Sequence, residues 1–318
     1  MTFILLTGAG FSHNWGGWLA NEAFEYLLGC PETSDNLRML LWADRKTGGG
    51  FEDTLEKLQQ NQRAELLEAL QTAIIRMFRE MNEAFEKTIF EPQQQAQYMI
   101  QTFLSKFDAI FTLNQDLLLE RHYLNDNIVL TNPGKWDGYA IPGMKILPNQ
   151  EYSHGLARLA LHTPDDPFKF SFSPRSQPYF KLHGSINWRD AEGGKLLVMG
   201  GNKSAEIRQN TVLKWYSQQF DEYLKRPNTN LMVIGYSFGD QHINQAIVQG
   251  TVQGLKLFII DSLGVDVLDK QKPWTPIRYS ELVEQLSPHI IGASRRPLKA
   301  TFNSDYVEHG KVMRFFAR

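Results

Sequence analysis

The sequence predicts an α/β fold: a Rossmann-like parallel sheet with helices on both faces and a helical insertion. Three observations predict it. Short apolar segments recur along the chain, and runs that do not alternate suit strands buried on both faces. Stretches with apolar residues at helical spacing lie between them. The segments also end in glycine, asparagine, histidine or aspartate motifs, where an open α/β sheet presents its ligand-binding edge beyond the carboxyl ends of its strands.

The first strand, Thr2 to Thr7, runs straight into Gly8-Ala9-Gly10-Phe11-Ser12. From about Trp18 to Ser105 the character is helical. Glu52 to Leu58 opens a run continued by Leu66, Leu67, Leu70, Ile74, Ile75 and Phe78 at helical spacing. Gly48-Gly49-Gly50 precedes it as a flexible connector, and Pro92 interrupts it. Strand character returns at Phe107 to Thr112, followed by Thr112-Leu113-Asn114-Gln115-Asp116. The stretch from Thr131 to Pro178 is dense in proline, glycine and aromatics (Pro133, Trp136, Tyr139, Pro142) and reads as long loops with short strands. Tyr179 to Leu182 leads into Lys181-Leu182-His183-Gly184-Ser185, and Lys195 to Met199 is a further strand. A helix is expected from Trp215 to Leu224. Asn230 to Ile234 and Lys256 to Ile260 are strands ending at Gly235-Tyr236-Ser237-Phe238-Gly239-Asp240 and at Asp261. The last part mixes a helix near Tyr279 to Leu286 with an aromatic, basic end, Phe315-Phe316-Ala317-Arg318. The expected organisation is one domain, 1–318, with a helical insert at about 20–105 and a loop-rich insert at about 130–178.

Composition narrows the function. With 318 residues, 42% of them hydrophobic, the chain can bury a full core. A net charge of -2 gives no electrostatic reason to expect direct nucleic-acid binding. One cysteine, Cys30, excludes an intramolecular disulfide framework and a multi-thiolate zinc site. Phe3 to Leu6 is too short for a signal-peptide core, and no apolar run approaches the roughly 18 residues of a membrane span. A cytoplasmic location away from membranes is expected.

The motifs carry the chemistry. Gly8-Ala9-Gly10 suits a phosphate turn, since glycines let the backbone approach a pyrophosphate closely. His13 stands where the usual Gly-x-Gly-x-x-Gly dinucleotide spacing has its third glycine, and the same residues suit a plain strand-to-helix turn. Asn114 and Asp116 face one side if the strand persists: asparagine can orient a water and a ribose hydroxyl, and aspartate can accept from a carboxamide. Both types are also favoured helix caps. His183, at a strand end, has the chemistry of a general base or of a structural histidine. Ser237 can bond phosphate or ribose, Asp240 most simply caps the following helix, and Asp261 can bind ribose hydroxyls or cap in turn. The absence of a Walker lysine motif argues against an ordinary P-loop phosphoryl-transfer enzyme.

With these motifs in order, the chain resembles the sirtuin superfamily through Gly-Ala-Gly-x-Ser, Thr-x-Asn-x-Asp, Leu-His-Gly and Gly-x-Ser. His183-Gly184-Ser185-Ile186-Asn187-Trp188 and Gly235 to Asp240 make it look more closely like divergent bacterial sirtuin-like proteins of anti-phage defence. The resemblance implies that Asn114 and His183 are catalytic, Asn114 placing ribose or attacking water. It implies that Asp116 contacts the nicotinamide carboxamide, that Gly8, Ala9, Gly10 and Ser12 line the pyrophosphate pocket with Gly235 and Ser237 nearby, and that Asp261 lies towards the adenosine ribose. Protein-deacetylase sirtuins carry a four-cysteine zinc module and a Gly-x-Pro-Asp-Phe-Arg motif; this chain has one cysteine, and His13 to Trp18 lacks that motif's proline, aspartate and arginine. The implied activity is therefore an NAD+ glycohydrolase (NAD+ nucleosidase) yielding nicotinamide and ADP-ribose or its cyclic form, with NAD as substrate and no metal. Gating by homo-oligomerisation or by a partner such as an ATPase or Argonaute-type sensor is expected. The alternatives are a non-catalytic module binding NAD or ADP-ribose, and an NAD-dependent protein deacylase.

Overall fold

The computed structural model describes residues 1–125, 127–148, 157–269 and 281–317. Among the described residues there are eleven strands: β1 (Thr2–Thr7), β2 (Ala109–Thr112), β3 (Gly138–Ala140), β4 (Met144–Ile146), β5 (His162–Pro164), β6 (Ser176–Lys181), β7 (Gly184–Arg189), β8 (Lys195–Leu197), β9 (Thr229–Ile234), β10 (Lys256–Ile260) and β11 (Ile290–Ser294). Seven of them form one sheet in the order β11-β10-β9-β1-β2-β6-β3, and its neighbouring strands run parallel. The smaller sheet, β4-β5-β7-β8, mixes antiparallel and parallel pairs.

The period-2 alternation along each central strand feeds two separate cores. Leu5, Ile110, Met232, Ile234, Phe258 and Ile260 point into one. Ile4, Leu6, Phe111, Leu231, Val233, Leu257 and Ile259 point into the other. The first core is covered by helices Ala20–Leu28, Asp35–Lys46, Phe51–Gln60 and Ala64–Glu86, and by Leu298, Phe302, Val312 and Phe315 near the carboxyl end. Helices Thr211–Leu224 and Gln241–Val252 cover the second through Val212, Leu213, Tyr216, Phe220, Ile243 and Ile247. Burying each such large side chain contributes on the order of 1.5–3 kcal/mol. The fold is Rossmann-like α/β with helices on both faces.

Several elements depart from the sequence reading. The helical run from Glu52 to Phe78 is two helices, because Asn61 ends the first and Gln62 takes a positive φ of 53°. The triple glycine is an ordered link: the N–H groups of Gly48 and Gly49 close onto the Arg45 and Asp44 carbonyls. β11, parallel to β10, lies where the sequence offered no strand, since Gly292 and Ala293 weaken its signal. The last helix before it is Glu281–Leu286, and the expected start near Tyr279 falls outside the described residues. The same holds for 149–156 of the loop-rich region and for Arg318. Among the described residues, no helix is long and apolar enough to cross a membrane.

Candidate functional site

Strand order locates a crevice. From central β1 the chain builds outward through β2 and β6, then returns across β1 to lay down β9, β10 and β11 on its other side. The order therefore reverses between β1 and β9, and ligands of open α/β sheets bind outside the carboxyl ends of the strands at such a switch point. The loops leaving those two ends are Gly8-Ala9-Gly10 and Gly235-Tyr236-Ser237.

These loops touch backbone to backbone. The N–H groups of Gly8 and Gly10 donate to the Ile234 and Gly235 carbonyls at 3.0 and 2.9 Å. Gly235 has φ +62°, and a Cβ there would lie 2.3 Å from the Gly10 carbonyl carbon. A Cβ on Gly8 or Gly10 would come within 2.7 Å of Gly235 or Tyr236 atoms. The glycines are thus required by this junction, and two of the N–H groups expected to face phosphate are committed to the carbonyls of Ile234 and Gly235. The helix that follows, Ala9–His13, has five residues; Ala9 is exposed and Ser12 buried.

The second motif leaves the strand immediately. β2 ends at Thr112, so Asn114 and Asp116 do not share a strand face. Asn114, half-buried, donates its backbone N–H to Thr112 Oγ1 and its Nδ2–H to Ser12 Oγ, both at 3.0 Å. Asp116, buried, accepts the Leu118 N–H at 3.0 Å, a local turn bond; the N-cap of helix Leu118–His122 is Leu117, and Asp116 does not cap it. Gln115 joins the second motif to the third: its carbonyl accepts the Ile186 N–H, and its Nε2 donates to the Val198 carbonyl. Beneath them Lys181, fully buried at the end of β6, bonds Glu120 Oε1 at 2.6 Å and the Asp116 carbonyl. Burial pushes the Glu120 carboxyl upward, against the pull of Lys181.

His183 occupies the link between the two sheets. Gly184 makes the passage with φ +74°, where a Cβ would sit 2.2 Å from the Leu196 carbonyl oxygen. The imidazole is 3% exposed, and its Nε2 lies 3.3 Å from His242 Nε2, on helix Gln241–Val252. Burial pushes His183 down to about 3; the Asp240 carboxylate opposes this, while Lys203 and His242 add to it. Burial also lowers His242. Asp240 occupies the N-cap position but gives that helix no side-chain cap, a correction to the sequence expectation. Its Oδ1 instead meets Lys203 Nζ at 3.0 Å, and Lys203 reaches Glu52 Oε2 at 2.8 Å. Burial works against the Asp240 charge, yet His183, Lys203 and His242 outweigh it and hold the carboxyl below its ordinary value. Burial likewise works against Lys203, and Glu52 and Asp240 outweigh it.

The fourth motif is held by Tyr236, whose hydroxyl accepts the Asp240 N–H and donates to Asn244 Oδ1. Asn244 Nδ2 in turn holds the carbonyl of Phe238, a non-glycine residue at φ +52°. A backbone outlier of this kind costs on the order of 1–3 kcal/mol and is retained where the surroundings over-determine it. Ser237 is exposed. Asp261 stands one strand further out, accepting the Leu263 N–H at 2.9 Å.

The structure therefore brings Gly8, Gly10 and Gly235 together, joins Ser12 to Asn114, and links Asn114's loop to His183's through Gln115. Asp116 and Asp261 have local backbone partners. Sequence reasoning missed Glu52, Lys203 and His242. Only His242 had a local signal, two residues after Asp240. Among the described residues, no group of three or more His, Cys, Asp or Glu side chains is arranged to hold a metal ion.

With this geometry in hand, residues 108–252 match the family model described as a SIR2-like domain, a stretch that includes the second, third and fourth motifs. No curated protein matches the chain. Among solved structures it is similar to a Sir2 homologue in complex with NAD, at 12% identity and TM-score 0.41, covering 99% of this chain and 90% of that one. It is also similar to a Sir2 homologue mutant with 2'-O-acetyl-ADP-ribose, at 12% identity and TM-score 0.38, covering 98% and 92%. Likeness at this level assigns no side chain a role.

Proposed function

We propose that the protein is an NAD+ glycohydrolase, cleaving NAD+ to nicotinamide and ADP-ribose. The observation that carries this reading is the meeting of four loop motifs at one sheet edge, with the switch point between β1 and β9 beside a buried, neutral histidine. The SIR2-like match over 108–252 supports it.

The residues suit the reaction. The pyridinium of NAD+ leaves as neutral nicotinamide, so departure needs no strong acid, and the protein must orient the ribose and place one water. Asn114, fixed through Ser12, has a carboxamide for holding that water or a ribose hydroxyl. His183, kept unprotonated by burial, can take the proton released as the new C–O bond forms. The β1/β9 crevice would receive the pyrophosphate, with Ala9 and Ser237 at its exposed rim and Asp261 towards the adenosine ribose. The single-cysteine sequence supports hydrolysis over protein deacylation. In this reading the protein is an NAD-depleting effector of bacterial anti-phage defence, held in check by oligomerisation or a partner.

The test is NAD+ loss with purified protein, following nicotinamide and ADP-ribose by mass spectrometry beside Asn114→Ala and His183→Ala. Each substitution is expected to lower kcat/KM by about 10²- to 10⁴-fold. NAD+ binding without turnover, in every oligomeric state and in extract from phage-challenged cells, would replace the enzyme with a binding module.

A further inference from the structure

Beyond assigning His183 a base role, and resting on that reading, we infer that His242 is a positioning residue. It accepts the Nε2–H of His183 and thereby leaves Nδ1 of His183 as the basic nitrogen.

The argument begins from proton counting. Two imidazole Nε2 atoms 3.3 Å apart form a hydrogen bond when one carries the proton and the other does not. If His242 were the donor, His183 would carry its own proton on Nδ1, and its bare Nε2 would be occupied by the His242 N–H. A base at His183 therefore requires the opposite arrangement: Nε2–H on His183, a bare Nε2 on His242, and the His242 proton on Nδ1. The surroundings agree. His183 Nδ1 has no hydrogen-bond partner among the described residues, so it is the nitrogen left free to take a proton.

The charges around the pair set its protonation. Asp240 and Lys203 act on both rings, with Glu52 bonded to Lys203 and Glu206 near it. The Lys203 cation and burial keep both rings neutral in the resting site. When His183 Nδ1 takes a proton, the resulting cation can be shared across the Nε2–Nε2 bond, and the Asp240 carboxylate faces it. The bond broken is O–H in the attacking water or ribose hydroxyl, and the proton stays on the imidazole pair, so no further reactant is needed. Lys203 joins Asp240, two residues before His242, to Glu52 of the helical region.

The test uses the full chain with ¹⁵N-labelled histidine, together with His242→Ala and His242→Gln; the glutamine carbonyl can accept as a bare Nε2 does. In the wild type, NMR is expected to find the Nε2–H tautomer at His183, with Nδ1 unprotonated. His242→Ala is expected to mix the tautomers, and His242→Gln to restore the wild-type form. In NAD+ turnover, His242→Ala is expected to lower kcat about 10- to 100-fold with KM nearly unchanged and to shift the acid limb of the pH profile, while His242→Gln stays within about 3-fold of wild type. An Nδ1–H tautomer in the folded wild type, or His242→Ala with wild-type kcat and pH profile, overturns the inference and leaves the glycohydrolase standing. Were the wild type to turn over no NAD+ in any oligomeric state or in extract from phage-challenged cells, the glycohydrolase would fall, and the NMR tautomers would still decide the role of His242. Should His242→Ala lose its fold, the wild-type and glutamine spectra decide alone.

Discussion

At the β1/β9 junction, Gly8, Gly10 and Gly235 meet backbone to backbone, and the contact is made by removing side chains. A few residues away along the same sheet edge, Glu52, His183, Lys203, Asp240 and His242 converge from distant segments, and the contact is made by charged and titratable ones. The first region tolerates no added atom and has no pH dependence of its own. The second has room for isosteric change but responds to every charge. This sheet edge thus combines a rigid steric seam with an electrostatically tuned cluster, and the two should fail in different ways.

The largest effect is expected at the seam. Gly235→Ala combines a positive φ with a Cβ 2.3 Å from Gly10, and should cost about 4–5 kcal/mol in denaturant unfolding. A variant within 1 kcal/mol of wild type would mean that the two loops can separate cheaply. Next comes the buried pair below the motifs. Lys181→Met leaves Glu120 in the core without its cation and should cost about 3–4 kcal/mol. The double change with Glu120→Leu should recover most of that loss; if it does not, the lysine acts by shape and not by charge. The smallest effect, and the one that separates the regions most cleanly, depends on pH. Folded His183 titrates at about 3 and an unfolded histidine near 6.5, so the unfolded chain binds the extra proton between these values. The contribution of neutral His183 to stability is complete above about pH 6.5 and is lost as pH falls, at a slope of about 1.4 kcal/mol per pH unit. His183→Asn should remove that slope, seen as unfolding free energies of the two proteins that converge between pH 6 and 4. Parallel curves would show the imidazole to be open to protons in the folded state.

The seam was more legible than the cluster. Glycines after an apolar run announce a turn, and β1, β9 and β10 read directly from Ile, Leu, Val and Phe runs. The sequence could not reveal that Gly8 and Gly10 are required by Gly235, because that contact spans the chain. Asn114 and His183 were legible as residue types at strand ends, while the turn away from β2 after Thr112 was not. Asp240 looked like a helix cap, and its carboxylate went to Lys203 because a half-buried cation between Glu52 and Asp240 gains more than one N–H bond offers. β11 escaped notice since a Gly-Ala pair leaves only its alternation with β10 to define it. Local patterns found what local physics decides; pairings across the insert were invisible for the same reason.

The placement of β1 at the centre of the sheet has a consequence for the order of events in folding. Its neighbours are β2, more than a hundred residues later, and β9, later still. Contacts so distant in sequence close late, after the entropy of the intervening chain has been overcome. A chain emerging from the ribosome holds Gly8 and Gly10 long before Gly235 exists to meet them, and His183 before His242. The crevice and the imidazole pair are therefore absent from every nascent chain that has not passed helix Gln241–Val252, and both arise only when the sheet closes around its first strand.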